Sequence, residues 1–218
     1  EALNGREEDF EQGLIKLYST IASDFLYPSP KDLVVFADNH DMSRIFTQLH
    51  EDIDLYKIAL TYLLTTRGVP QIYYGTEVLM SNPDTDDHGI IRSDMPGGWP
   101  GDTVNAFSNK GLSPAQLNAK AFLRELLHWR KTAPAIHHGK MKHFAPFDGI
   151  YVYFRYTDDQ TLMVVINKNA EPYQLDHTRF AEMLRGKYTA TEPFSKKTHV
   201  LSLPLSVPAR AATVYELR

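Results

Sequence analysis

Apolar and polar positions change rhythm three times along this chain. From Arg6 to Tyr27, Phe10, Leu14, Leu17, Tyr18, Ile21 and Phe25 recur at helical spacing on one face. "YPSP" ends that helix, because proline disfavours helix at its own position and at the one before. "LVVFA" (33–37) is a short, continuously apolar run, the pattern of a strand covered on both faces in a parallel sheet. "DIDLYKIALTYLLTT" (52–66) is apolar on most sides and predicts a buried helix, punctuated by Gly68 and Pro70, and "VPQIYYG" (69–75) predicts a second short strand. The order helix, strand, helix, strand points to α/β architecture with parallel strands.

A polar loop then runs from Ser81 to Gly111, long enough to be functional or disordered. "LSPAQ" restarts order. Ser113 caps, Pro114 suits the first helical position and Gln116 completes a capping box; the helix continues through Phe122, Leu126 and Trp129 and stops before Pro134. Beyond about residue 138 the period falls to two. "GIYVYFRY", the turn "TDDQ" and "TLMVVIN" predict a hairpin, and "HVLSLPL" and "AATVYEL" add two strand candidates. These segments predict an antiparallel β-sandwich over 138–218, after an α/β part over 1–137.

Composition narrows the classes. A chain of 218 residues that is 43% hydrophobic and 23% charged is that of an ordinary globular protein. A net charge of -4 argues against a nucleic-acid partner and suits a neutral substrate. No cysteine is present, so disulfide and thiol chemistry are absent. No apolar run approaches the ~20 residues that a bilayer span needs, and no membrane partner is expected. The first residue is Glu1, so the expectation is a processed chain or part of a longer one.

The candidate chemistry sits at the two predicted strand ends. "FADNHDMSR" places Asn39, His40 and Asp41 in a row, with Arg44 just beyond; "GVPQIYYGTE" ends in Tyr73, Tyr74 and Glu77. Function collects at the carboxyl ends of parallel strands. A carboxylate beside an imidazole can orient a polyhydroxyl ligand and stabilise developing positive charge. Set against this is a plain strand exit with a capping Asp.

These two motifs, with one buried helix between them, resemble the α-amylase family of glycoside hydrolases. "IIRSDMPGGW" (90–99) is similar to its cyclomaltodextrinase and neopullulanase branch, and "LRELLHWRKTAPAI" resembles the last barrel helix. The resemblance implies the last portion of a (β/α)8 TIM barrel followed by a β-sandwich, acting on an α-glucan or cyclodextrin. It implies that Asp41 stabilises the oxocarbenium-like transition state and that His40 hydrogen-bonds the sugar at the cleavage point. Arg92, with Asp87 as acidic companion, would hold the preceding sugar, although this chain separates the pair by one residue more than the family pattern. Asn39, Arg44, Tyr74 and Trp99 complete the expected substrate-binding set; Trp99 is equally readable as a loop anchor.

Retaining glycoside hydrolysis needs two carboxyl groups about 5 Å apart. In this family both come from earlier strands, so the expectation is a carboxyl-terminal fragment, inactive alone, that either self-associates through its exposed strand edge or refolds locally. A same-family transglycosylase or isomerase and a non-catalytic carbohydrate-binding remnant are the alternatives. No cofactor is expected. "NPDTDDHG" (82–89) suggests a calcium loop only weakly, since Met95 falls where the last acidic ligand belongs; a solvated acidic loop is the default. His137 and His138 lack a third ligand in reach. Tyr151 and Tyr153 are expected to face outward from the sandwich. A periplasmic or cytoplasmic location fits relatives with this loop.

Overall fold

The computed structural model describes residues 2–4 and 13–218. The expected helix over 6–27 therefore lies partly outside the described residues. Its described part is α1 (Ile15–Ala22), which tightens into a 3-10 turn at Ser23–Leu26. The tighter turn breaks the helical phase, so Phe25, expected on the buried face with Ile21, is exposed.

Strand β1 (Val34–Phe36) leads through the single turn α2 (Ile45–Gln48) to α3 (Ile53–Thr65) and β2 (Val69–Gln71). Asp52 caps α3 by accepting from the Asp54 and Leu55 backbone N–H groups, both at 3.0 Å. β1 and β2 pair in parallel, Val34 opposite Val69 and Phe36 opposite Gln71, with α3 as the crossover. Gly68 turns the chain into β2 at φ +104°, where a Cβ would lie 2.7 Å from the Leu33 carbonyl oxygen; only glycine fits that approach. The expectation that 33–37 is covered on both faces is corrected. Val34, Phe36 and Val69 are 57%, 46% and 54% exposed, while Val35 packs inward against the core around α3. Among the described residues the sheet has two strands, so one face and both edges are open.

The 81–111 loop is not structureless. It contains the turn α4 (His88–Ile91), and Val78, Ala106 and Leu112 form a small core beneath it with Met80, Met95 and Val104. Helix α5 (Pro114–Lys131) begins with the expected capping box of Ser113 and Gln116, and α6 (Pro134–His137) follows.

The rest is antiparallel. β3 (Lys140–His143), β4 (Ile150–Tyr156), β5 (Thr161–Asn167), β6 (Tyr173–Leu175), the turn α7 (Ala181–Leu184), β7 (Thr189–Thr191), β8 (Thr198–Val200), β9 (Leu205–Val207) and β10 (Ala211–Leu217) follow in order. Six of the strands form one sheet, in the order β3-β4-β5-β10-β7-β8, and β6 and β9 pair as the second layer of a sandwich. "HVLSLPL", read as one strand, is split by a turn into β8 and β9, which lie in different sheets. Val152, Phe154, Val165 and Tyr215 face Leu175, Phe180, Leu205 and Val207 between the layers.

The other face of the six-stranded sheet packs on α3. Tyr151, Tyr153, Val164, Ile166 and Val214 share one core with Ile58, Leu60 and Leu64. Tyr151 and Tyr153 therefore do not face outward: both are fully buried, because the face opposite the sandwich core meets α3 rather than water. Polar side chains clamp the two ends of α3 to the sheet. Arg155 donates to the carbonyls of Thr65 and Thr66, left open at the helix terminus, and to those of Ile136 and Gly139. Thr65 Oγ1 lies 2.5 Å from the Tyr153 hydroxyl. Arg210 pairs with Asp52 and Asp54 at the other end.

Candidate functional site

The site forms where the chain leaves β1. Asn39 Oδ1 accepts from the Asp41 backbone N–H at 2.8 Å, an Asx turn that aims the next two side chains to solvent. Asp41 then takes two partners. His40 Nε2 lies 3.2 Å from its Oδ2, and Arg92 Nη2 donates to its Oδ1 at 3.0 Å. Arg92 Nε also donates to the His40 carbonyl at 2.9 Å, so one guanidinium fixes both the backbone and the carboxylate of the turn. Arg92 Nη2 further lies 2.8 Å from His88 Nδ1. A guanidinium has no acceptor, so that contact places the imidazole proton on Nε2.

The remaining expected residues divide. Arg44 is buried beneath the turn instead of lining it. Its guanidinium lies over the Tyr73 and Tyr74 rings, 4.4 and 4.9 Å from their centroids, and those two rings meet each other edge-on. Nε donates to the Ile91 carbonyl at 3.0 Å and Nη1 to the Tyr74 carbonyl at 2.5 Å. Tyr74 in turn donates from its hydroxyl to the Ser93 carbonyl at 2.8 Å. Arg44 and Tyr74 thus tie the two strand exits and the loop into one unit. Asp87 does not pair with Arg92: its Oδ1 accepts from the Gly89 N–H at 2.7 Å and caps α4. Trp99 stands further along the loop, its Nε1 donating to Asp94 Oδ2 at 2.8 Å.

Three supports were not read from the sequence. Asp38 is buried and accepts from the Ile45 N–H at 2.8 Å; burial pushes its carboxyl up, opposed by that hydrogen bond and by the Arg44 charge. Asn82 accepts from the Arg44 N–H at 2.8 Å and donates to the Thr85 carbonyl. His88 orients Arg92 from four residues back, on the same side of a one-turn helix, and that spacing was the one signal available in the sequence.

Two cavities flank the open sheet. One, of about 390 Å³, lies along β1 and is lined by Leu17, Val35, Phe36, Ala37 and Tyr62. The other, of about 550 Å³, lies beside the exit of β2 and is lined by Ile72, Tyr73, Tyr74, Glu77, Leu123 and His128. Among the described residues no three His, Asp or Glu side chains gather as a metal site, and no helix is long and apolar enough to cross a membrane.

A polar cluster at the carboxyl end of a parallel α/β strand, followed by an antiparallel sandwich docked on the helices, is the arrangement of the end of an α/β barrel with a carboxyl-terminal β domain. The alpha-amylase catalytic-domain model matches residues 8–152, and the cyclomaltodextrinase C-terminal-domain model matches residues 141–216. The chain belongs to the α-amylase family. It is 35% identical over 144 residues to a cyclomaltodextrin glucanotransferase of Bacillus licheniformis, covering 66% of this chain and 17% of that protein. It is 33% identical over 161 residues to an alpha-amylase of Niallia circulans, covering 74% and 26%. The crystal structure of the Geobacillus thermoleovorans alpha-amylase complexed with acarbose superposes with a TM-score of 0.74 at 26% identity, over 94% of this chain and 43% of that one. The chain thus spans between about a sixth and a quarter of the curated relatives' lengths.

Proposed function

We propose that this chain supplies the transition-state-stabilising carboxylate, Asp41, to an enzyme that cleaves or transfers α-glucosidic bonds by the retaining route. One observation carries the reading: Asp41 lies beyond the end of a parallel strand, exposed, with one oxygen accepting from Arg92 and the other 3.2 Å from His40 Nε2. A carboxylate held in this way is aimed, as stabilising an oxocarbenium-like centre requires. His40 would hydrogen-bond the sugar at the cleavage point and Arg92 the sugar before it, while Asn39 holds the turn. Arg44 and Tyr74 act from beneath by fixing the strand exits.

The nucleophile and the general acid are proposed to come from strands outside this sequence. The cavity of about 390 Å³ supports that reading, since it lies along β1, where a closed barrel has a neighbouring strand. By itself the chain is proposed to bind but not turn over glucans, and to self-associate through Val34 and Phe36. Hydrolysis and transglycosylation both use these residues, so the proposal covers both. In a longer polypeptide carrying the upstream strands, Asp41→Asn should lower kcat on maltoheptaose by at least about a hundredfold with a smaller change in KM. A variant with unchanged kcat would refute the role of Asp41.

A further inference from the structure

We propose that the loop around Trp99 is a self-contained binding site for one glucosyl unit of an α-glucan, formed by the indole face and the carboxylates of Asp94 and Asp102. The choice of an α-glucan as ligand rests on the function proposed above; the site itself rests on geometry.

A cavity of about 240 Å³ opens on this loop, lined by Asp94, Pro96, Trp99, Asp102 and Thr103. Its wall includes an indole that is 63% exposed. An exposed tryptophan on a polar loop is normally free to move, and this one is held from two sides. Nε1 donates to Asp94 Oδ2 at 2.8 Å, and the Trp99 backbone N–H donates to Asp102 Oδ2 at 3.2 Å. The same Asp102 oxygen accepts from the Gly97 N–H at 2.7 Å. Below, Met95 and Val104 pack on the small core of Val78, Ala106 and Leu112. The ring is therefore presented already ordered, and binding loses little rotamer freedom.

The chemistry of the lining selects the ligand. An aromatic face suits the apolar face of a pyranose, and its rim carries carboxylate oxygens to accept from sugar hydroxyls. Each carboxylate spends Oδ2 on the loop itself, which leaves Oδ1 for a ligand. No Lys, Arg or His lines the cavity, which disfavours an anion. Among the described residues no group of three His, Asp or Glu side chains that could hold a metal ion gathers here. A neutral polyhydroxyl ring fits both conditions.

The chain has two tryptophans, Trp99 and Trp129, so the indole N–H signals provide a site and an internal control. Trp129 packs edge-on against Phe194, with centroids 5.5 Å apart, at the junction of the α/β part and the sandwich. Titrating this chain with maltotriose should shift the Trp99 signal saturably, with a dissociation constant in the millimolar range, and leave Trp129 in place. By calorimetry, Trp99→Ala should weaken binding about tenfold or more. Asp94→Asn keeps an acceptor for the indole and should weaken binding severalfold, with the Trp99 signal still responding to maltotriose. A static Trp99 signal at tens of millimolar maltotriose would overturn the site, as would a response to calcium chloride alone or full affinity in Trp99→Ala. A longer polypeptide that failed to cleave glucans while Trp99 still responded would sink the catalytic reading and spare this one. Cleavage with a static Trp99 would do the reverse.

Discussion

The two sheets of this molecule solve the burial problem in opposite ways. In β4 and β5 nearly every residue is buried, because one face meets the second sandwich layer and the other meets α3. In β1 and β2 alternate side chains reach solvent, and among the described residues the pair has no further strand on either edge. The antiparallel region carries its own partners, whereas the parallel pair is shaped for partners that the described residues do not supply. The candidate site grows from the second kind of sheet. Its chemistry is therefore held by loop contacts, those of Arg44 and Arg92, rather than by the strands themselves.

The contrast can be broken at its strongest point first. Phe154 is fully buried between the layers, edge-on to Phe144 at 5.8 Å. Phe154→Ala should cost about 3–5 kcal/mol in urea unfolding; a cost below about 1 kcal/mol would show that the sandwich core is not the stable half. Arg155 comes next. Burial lowers its pKa to about 10, so it stays charged at neutral pH, and it serves four carbonyls that lie under the sheet. Arg155→Met should lose about 2–3 kcal/mol and separate the unfolding of the α/β part from that of the sandwich, seen as two transitions by circular dichroism.

Asp52 tests the other end of the clamp. Partial burial raises its pKa, but hydrogen bonds from the Leu55 and Asp54 N–H groups and the Arg210 guanidinium outweigh that and hold it below the usual value. A carboxyl depressed by folding stabilises the fold above its unfolded pKa, and the contribution is lost as pH falls through the lower folded value. Asp52→Ala should cost about 1 kcal/mol near neutrality. The gap to the parent protein in thermal melts should narrow below about pH 4. A gap that widens in acid would reverse the sign. Smallest of all, Phe36→Lys should change stability by less than about 0.5 kcal/mol. Yet it should reduce self-association in light scattering, since a charge on an open strand edge opposes pairing. Equal association by both proteins would remove β1 from the proposed contact.

The sequence was most legible where the pattern is local. The capping box of Ser113 and Gln116, the β4–β5 hairpin and the strand–helix–strand order all follow from neighbours in the chain. It was least legible where a distant element decides. Alternation in β4 tells that Tyr151 and Tyr153 share a face, but not that α3 covers it. The apolar run of 33–37 does not reveal which of its faces lacks a neighbour. At the site, Asn39, His40 and Asp41 stand together in the sequence, while the Arg92 contact joins residues 51 apart through a folded loop. The resemblance made Asp87 the acidic companion of Arg92, yet its carboxylate caps α4.

The most direct test is a reducing-end assay of maltoheptaose, β-cyclodextrin and pullulan with this purified chain, run beside its Asp41→Asn variant. The account predicts no release by either protein, because Asp41 lacks a nucleophile and an acid to work with. Activity in the parent chain that disappears in the variant would contradict it, since the 218 residues would then hold a complete catalytic set.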